Sequence, residues 1–294
     1  MDSAKMVAQE RASRGFWKDV FLRFKRRKLA VLGFFLLVFI LLVCLYGVIA
    51  IDFETQVIEQ NVQNRLQPPS LEHPFGTDGF GRDILSRVIY GSRYSLLIGF
   101  SAVFFALIIG GTIGTVAGYF GGKTDNIFMR FMDMLIAIPF TLLAIAIVTA
   151  LGPSLVNLII AISVADIPGY ARIIRSAILS VKDSEFVEAS VAVGASHRRV
   201  ILTHIIPNSL APIIVHATLG VGFAILAASG LSYLGLGIMP PTPEWGSMLS
   251  EGQRHIRYSP WIVIFPGLAI MLTVLALNLL GDGLRDSIDP KLKN

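Results

Sequence analysis

Glu188-Ala189-Ser190-Val191-Ala192-Val193-Gly194, followed at a distance by Pro207, is a short Gly-broken stretch set between long apolar runs. Asp183 or Ser184 can cap a helix just before it, and Glu185 and Glu188 suit the partial positive charge of that helix end. Gly194 predicts the stop, because glycine enters the left-handed conformation that ends helices without a side-chain penalty. Ser196 can start a second helix, which Pro207 is expected to break. A short helix, a sharp turn and a second helix set crosswise suit a knob that fits a partner's cleft. On these residues alone a generic amphipathic loop stays open as the alternative.

The chain around the stretch has 294 residues, 54% hydrophobic and 15% charged, with a mean hydropathy of +0.68. A soluble domain of this size cannot hide so much apolar surface, so the composition predicts a multi-span membrane protein in contact with lipid. The net charge of +5 does not point to nucleic acid, because the basic residues sit beside apolar segments. The single cysteine, Cys44, lies in an apolar run and reads as a buried thiol. The N-terminus is polar for about fifteen residues and shows no small-residue cleavage site, so a signal peptide is not expected.

Six apolar runs predict spanning helices, at about 29–51, 95–120, 128–151, 155–179, 211–236 and 261–280. The first carries no charge and is about 34 Å long at ~1.5 Å per residue, enough to cross. Period-2 alternation is absent, which argues against a barrel. Six spans put both termini on one side. The basic tail, with Lys25-Arg26-Arg27-Lys28, and the loop holding Arg198 and Arg199 assign that side to the cytosol by the positive-inside rule. Of the 25 Lys and Arg, only Arg65, Arg82, Arg87, Arg93, Arg254 and Arg257 fall on the other side. The expected organisation is a cytosolic tail over 1–28, a first span over 29–51, an outer segment over 52–93, a core over 94–283 holding the loop 183–208, and a cytosolic tail over 284–294. Phe16, Trp17, Val20, Phe21 and Phe24 share a helical face and predict an amphipathic helix in the cytosolic interface.

Few residues suggest chemistry. Gly121-Gly122-Lys123-Thr124 imitates the end of a phosphate-binding loop, but Ala117 stands where the pattern needs glycine, and the stretch follows a membrane span. His73, His197, His204, His216 and His255 lack metal-ligand spacing, and no nucleophile elbow occurs, so an enzyme is not expected. Gly110, Gly114, Gly118 and Gly122 form a small-residue stripe, read as a packing face or as one that slides during transport. Asp166 lies inside the fourth run. It is read either as part of a translocation path or as the partner of a base such as Arg172. The outer segments, one holding Gly76-Thr77-Asp78-Gly79-Phe80-Gly81-Arg82-Asp83 and the other Pro240-Pro241-Thr242-Pro243-Glu244-Trp245-Gly246, are too rich in turn formers and aromatics for passive linkers.

The loop resembles the EAA loop of ABC importer permeases, whose pattern is Glu-Ala-Ala, three residues, Gly, nine residues, then Ile-x-Leu-Pro. Glu188, Ala189, Gly194 and Pro207 match in register; Ser190 replaces the second Ala, His204 stands at the Ile position and Ile206 replaces Leu. Phe75 to Arg87, Leu231 to Gly237 with Trp245-Gly246, and Asn278 to Asp286 are similar to blocks of the second permease subunit of dipeptide, oligopeptide and nickel importers. Ala228 stands where many members carry Glu, so a substrate role argued from that Glu does not transfer. The resemblance implies an all-α type I ABC importer permease fold with six transmembrane helices. It implies a bacterial inner-membrane subunit without a cofactor, with ATP and Mg on two partner ATPase subunits. The other implied partners are a homologous second permease and an extracytoplasmic solute-binding protein. The implied solute is a di- or oligopeptide; nickel, a metal chelate or glutathione are alternatives. Coupling falls to Glu188, Ala189, Ser190, Gly194 and Ala195. Docking of the binding protein is expected at Thr77, Asp78, Arg82, Asp83 and Trp245, and the path at Asp166. A stand-alone carrier should show an internal repeat, which is not seen.

Overall fold

The computed structural model describes residues 20–288, and they are almost wholly helical. Residues 20–26 form a short helix (α1), and Lys28–Ala50 is the first long one (α2). Val20 of α1 packs with Val215 and Ile288, while Phe21 faces outward. Phe16 and Trp17, the start of the expected amphipathic face, lie outside the described residues. α2 is hydrophobic all round, so its burial rests on small residues: Ala30 meets Gly283, and Gly33 fits against Ala276 and Leu279. Its large side chains, among them Phe35, Phe39 and Ile49, point away from the protein, as lipid contact requires.

The outer segment after α2 contains a wide turn at Phe53–Ile58 and a tight one at Val62–Asn64. α3 then runs over Ile84–Phe120, 37 residues. At ~1.5 Å per residue it is about 55 Å long, far more than the hydrocarbon core, so its first turns stand outside the membrane. The apolar run of this span begins only near residue 95, because apolarity marks the part in lipid. Asp83 begins the helix earlier by accepting from the Ser86 N–H at 2.7 Å.

The third expected span is two helices. α4, Gly122–Ile136, and α5, Phe140–Leu151, meet at 84°. Pro139 explains the break: it has no N–H to continue α4, and it biases Ile138 away from helical geometry. α6 covers Leu155–Lys182 and carries Pro168 without interruption. α7 is the short Glu185–Ala192. α8, His197–Val200, continues through a wide turn at Ile201–Ile205 into α9, Ile206–Tyr233, making one span of 37 residues. Pro207 therefore does not break the second helix of the loop. The wide turn, in which the Ile206 N–H reaches the Ile201 carbonyl, accommodates the proline ring. Asn208 also donates its side-chain amide to the carbonyl of His204. α10, Trp245–Gly252, lies between α9 and α11, and α11 covers Trp261–Ile288. Among the described residues, five helices are long and apolar enough to cross a membrane, or six if the bent α4–α5 pair is one span.

Among the described residues, α3 and α6 share the most extensive helix–helix contact. A side chain on Gly110 would lie 2.6 Å from the Ile167 carbonyl, one on Gly114 would meet the Ala171 carbonyl, and one on Gly118 would lie 3.1 Å from that of Arg175. Backbone against backbone at this range gains dispersion contacts that larger residues forbid, and such packing drives helix association in lipid. The glycine stripe is thus a packing face through Gly118; a side chain on Gly122 would meet nothing within 4 Å.

Candidate coupling site and its outer counterpart

α6 ends at Lys182, and the chain reverses through Asp183 and Ser184. Ser184 occupies the capping position of α7, but its hydroxyl donates back to the Val181 carbonyl at 2.7 Å instead of capping. Glu185 and Glu188 stand in the first turn, where the helix dipole favours them. Gly194 has φ +83°, a conformation that strains any other L-residue but asparagine or aspartate. It lets the Ala195 N–H return to the Ser190 carbonyl at 3.1 Å and closes the helix. Of the five coupling candidates, Glu188, Ala189 and Gly194 are exposed, while Ser190 and Ala195 are half-buried.

Two roots hold this knob. Val187 from α7 and Val200 from α8 are buried in the main apolar cluster. Beside them, Tyr119 at the end of α3 and His197 at the start of α8 share a hydrogen bond, Tyr119 Oη to His197 Nδ1, of 2.8 Å. Phe186, Val191 and Val193 remain outside, Val193 with 84% of its surface exposed. The exposed part of the turn is thus an apolar rim beside an acidic first turn. Alongside, Arg175 holds Asp125 through two bonds of 2.5 Å and Arg172 holds Asp133 at 2.5 Å, fastening α6 to α4.

The opposite end of the helices carries a buried charge cluster. Asp78 accepts from Arg82 Nε at 2.6 Å and lies 3.6 Å from Arg87 Nε. Glu251 of α10 accepts from Arg82 at 2.6 Å and from Arg87 at 3.2 Å. Arg87 is 1% exposed and also donates to the carbonyls of Val57 and Pro241. Two arginines against two carboxylates leave no net charge, which is the condition for burying them. Next to this cluster Glu244, fully buried, caps α10 by accepting from the Gly246 and Ser247 N–H groups at 2.9 and 3.0 Å. Burial pushes its carboxyl above the usual range, partly offset by those donors and by Ser95.

This geometry differs from the expectation for the docking candidates. Thr77, Asp78, Arg82 and Trp245 are buried and bond inward: Thr77 to Asn64, Trp245 Nε1 to the Val88 carbonyl at 3.0 Å. Asp83 is committed to the α3 cap and to His73 Nδ1 at 3.0 Å. Turn-rich polar sequence looks like exposed surface, yet here the polar groups satisfy one another. They shape the outer rim and do not present themselves on it. Glu251 and the Tyr119–His197 pair were not singled out from sequence. Glu251 is far along the chain from its arginine partners, and no spacing rule connects them. Asp166 sits midway along α6, partly buried, and Arg172 is not its partner, being taken by Asp133.

Comparison with known proteins sets these features in a wider group. Residues 110–294 match the family described as binding-protein-dependent transport system inner membrane component, and residues 15–69 match the N-terminal TM domain of oligopeptide transport permease C. The chain is 49% identical over 95% of its length to a dipeptide transport system permease protein of Alkalihalophilus pseudofirmus, covering 91% of that protein. It is 43% identical over 94% of its length to a glutathione transport system permease protein of Escherichia coli, again covering 91%. Among solved structures, a chain of the inward-facing MetNI methionine ABC transporter aligns with a TM-score of 0.57 at 18% identity, covering 69% of this chain and 96% of that one. A chain of an amino acid ABC transporter aligns with a TM-score of 0.55 at 16% identity, covering 68% and 92%. These two likenesses show a shared fold.

Proposed function

Because this chain belongs to the family of binding-protein-dependent transport system inner membrane components, we propose that it forms half of the translocation pathway of an ATP-driven bacterial importer for di- or oligopeptides. The relatives' names support a peptide or peptide-like solute, since a dipeptide and glutathione both carry an amide link, a free primary amine and a terminal carboxylate. The dipeptide reading leads because that relative is the more similar of the two. The other half is a homologous permease, and ATP and Mg bind to two separate ATPase subunits. Both termini lie in the cytosol, which puts α7 and α8 on the ATPase side.

The observation that carries this reading is the knob: a short helix rooted by Val187, Val200 and the Tyr119–His197 bond, with its acidic turn and apolar rim outside. Closure of the ATPases on ATP drags the knob. The α3–α6 unit, locked by backbone-close packing, transmits the displacement as a rigid body, and the two permeases rock to face outward. The binding protein then delivers its solute across the outer rim, whose shape is fixed by Thr77, Asp78, Arg82, Asp83 and Trp245 as positioning residues. Asp166 lines the path. The test is reconstitution of the full complex in liposomes. Glu188→Lys should leave the complex assembled and cut binding-protein-stimulated ATP hydrolysis and peptide uptake together, by at least about tenfold. Normal coupled uptake in that variant would refute the coupling role.

A further inference from the structure

Asp166 stands about halfway along α6, and it is the only acidic residue between Leu155 and Lys182. No ion pair reaches it among the described residues, because the nearby bases of its helix are spent: Arg172 on Asp133, Arg175 on Asp125. One turn further along the same helix, Tyr170 is 1% exposed and its hydroxyl has no hydrogen-bond partner. That hydroxyl crosses to α9, where it fills the space a side chain on Gly220 would need. On the same helix, His216 packs its ring edge-on against Tyr170 with centroids 4.8 Å apart. Asp166 thus lies one helical turn from a Tyr170–His216 contact midway through an apolar bundle, and among the described residues its carboxylate and the Tyr170 hydroxyl have no hydrogen-bond partner.

Unpaired polar groups at this depth are costly, and membrane proteins keep them where a polar ligand or water passes. We propose that Asp166, one helical turn from the Tyr170–His216 pair, forms a midway station for the primary ammonium group of the transported solute. The inference rests on the peptide reading for its solute and adds which part of that solute is recognised. An ammonium group offers hydrogen-bond donors and one positive charge, which match an unpaired carboxylate, an acceptor-only anion. A transition-metal cargo fits less well, because no three His, Cys, Asp or Glu side chains converge anywhere among the described residues. The station also suits a carrier that must release: one carboxylate holds an amine long enough to orient it, without the multi-dentate grip that belongs to the binding protein.

Gly169 gives a probe of this spot. A side chain built there lies 3.4 Å from Asp166 Oδ1, an ordinary contact, so Gly169→Cys is tolerated. With the native thiol removed by Cys44→Ser, the complete complex in liposomes is labelled with a cationic thiosulfonate (trimethylammonioethyl) and an anionic one (sulfonatoethyl). With each rate divided by that reagent's rate on a small free thiol in solution, the cationic reagent should react about tenfold faster, and Asp166→Asn should bring the two normalised rates within about twofold. In parallel, Asp166→Asn should lower dialanine uptake at least about tenfold while binding-protein-stimulated ATP hydrolysis stays within about twofold, and Asp166→Glu should recover uptake. Equal labelling by both reagents, or unchanged uptake in Asp166→Asn, overturns the station. So does joint collapse of uptake and hydrolysis in both the Asn and Glu variants, which marks a structural carboxylate. A complex that moves no dialanine yet keeps the cationic preference retains the station and removes the peptide reading. Equal labelling in a complex that moves dialanine does the reverse.

Discussion

At Gly194 a single backbone angle separates two readings of the same loop. With φ at +83° and nothing within 4 Å of where a side chain would start, substitution costs conformation and not space. Gly194→Val should therefore strain the turn by about 1–2 kcal/mol, while Gly194→Asn, whose side chain tolerates this region, should keep most of the coupled ATP hydrolysis. Measuring binding-protein-stimulated hydrolysis in both variants checks this; equal loss in the two would mean that the side chain and not the angle matters. Glu244 supplies a second residue-scale prediction. Its carboxyl is raised by burial, so the folded state favours the protonated form. Its contribution to stability is fully present below its ordinary value of 4.5 and is lost as pH rises through the raised one. The unfolding midpoint of wild type relative to Glu244→Gln should accordingly fall as pH rises from about 4 to about 7. A difference that does not change with pH contradicts this account of Glu244.

Helix pairs carry the next level of the account. The α3–α6 contact depends on Gly110 and Gly114 facing the carbonyls of Ile167 and Ala171. Gly114→Leu forces those backbones apart and should cost more than the ~1–3 kcal/mol of ordinary overpacking, lowering the thermal midpoint of the purified complex. The outer cluster behaves differently. Glu251→Gln strands two buried guanidinium groups on one carboxylate, and breaking a buried pair costs ~3–5 kcal/mol. The same midpoint measurement checks it, and a shift as small as that of a surface charge would show that the cluster is wetter than its geometry implies. At this scale the sequence was uneven as a guide. The glycine stripe was legible because spacing of four residues places small groups on one helical face. The α4–α5 bend was also written in the chain, at Ile138-Pro139, but continuous apolarity across it concealed the break. Pro207 gave the opposite error. A proline ends an isolated helix, yet the wide turn at Ile201–Ile205 absorbs it, and that turn has no residue signature.

Over the whole molecule, the apolar runs located the spans and the basic residues suggested an orientation, since both follow from the solvent that each segment meets. The EAA-like residues located the knob. What remained hidden were long-range polar partnerships: Arg82 and Arg87 with Glu251, and Tyr119 with His197. These join residues far apart in the chain, and only the packed helices bring them together. They also hold Asp78 and Arg82 inside the fold, where the turn-rich sequence suggests a surface. The resulting picture has a rigid α3–α6 spine with a rooted knob at one end and a locked rim at the other. Transport on the proposed reading depends on a separate motor that drives the knob.

That dependence has a direct test. Val193 stands at the tip of the turn, 84% exposed. In a Cys44→Ser background, Val193→Cys should cross-link to a cysteine placed in the cleft of an ATPase subunit, and the cross-link should abolish uptake until it is reduced. Full peptide uptake by a complex in which Val193→Cys never reaches an ATPase, under ATP or without it, would contradict the account.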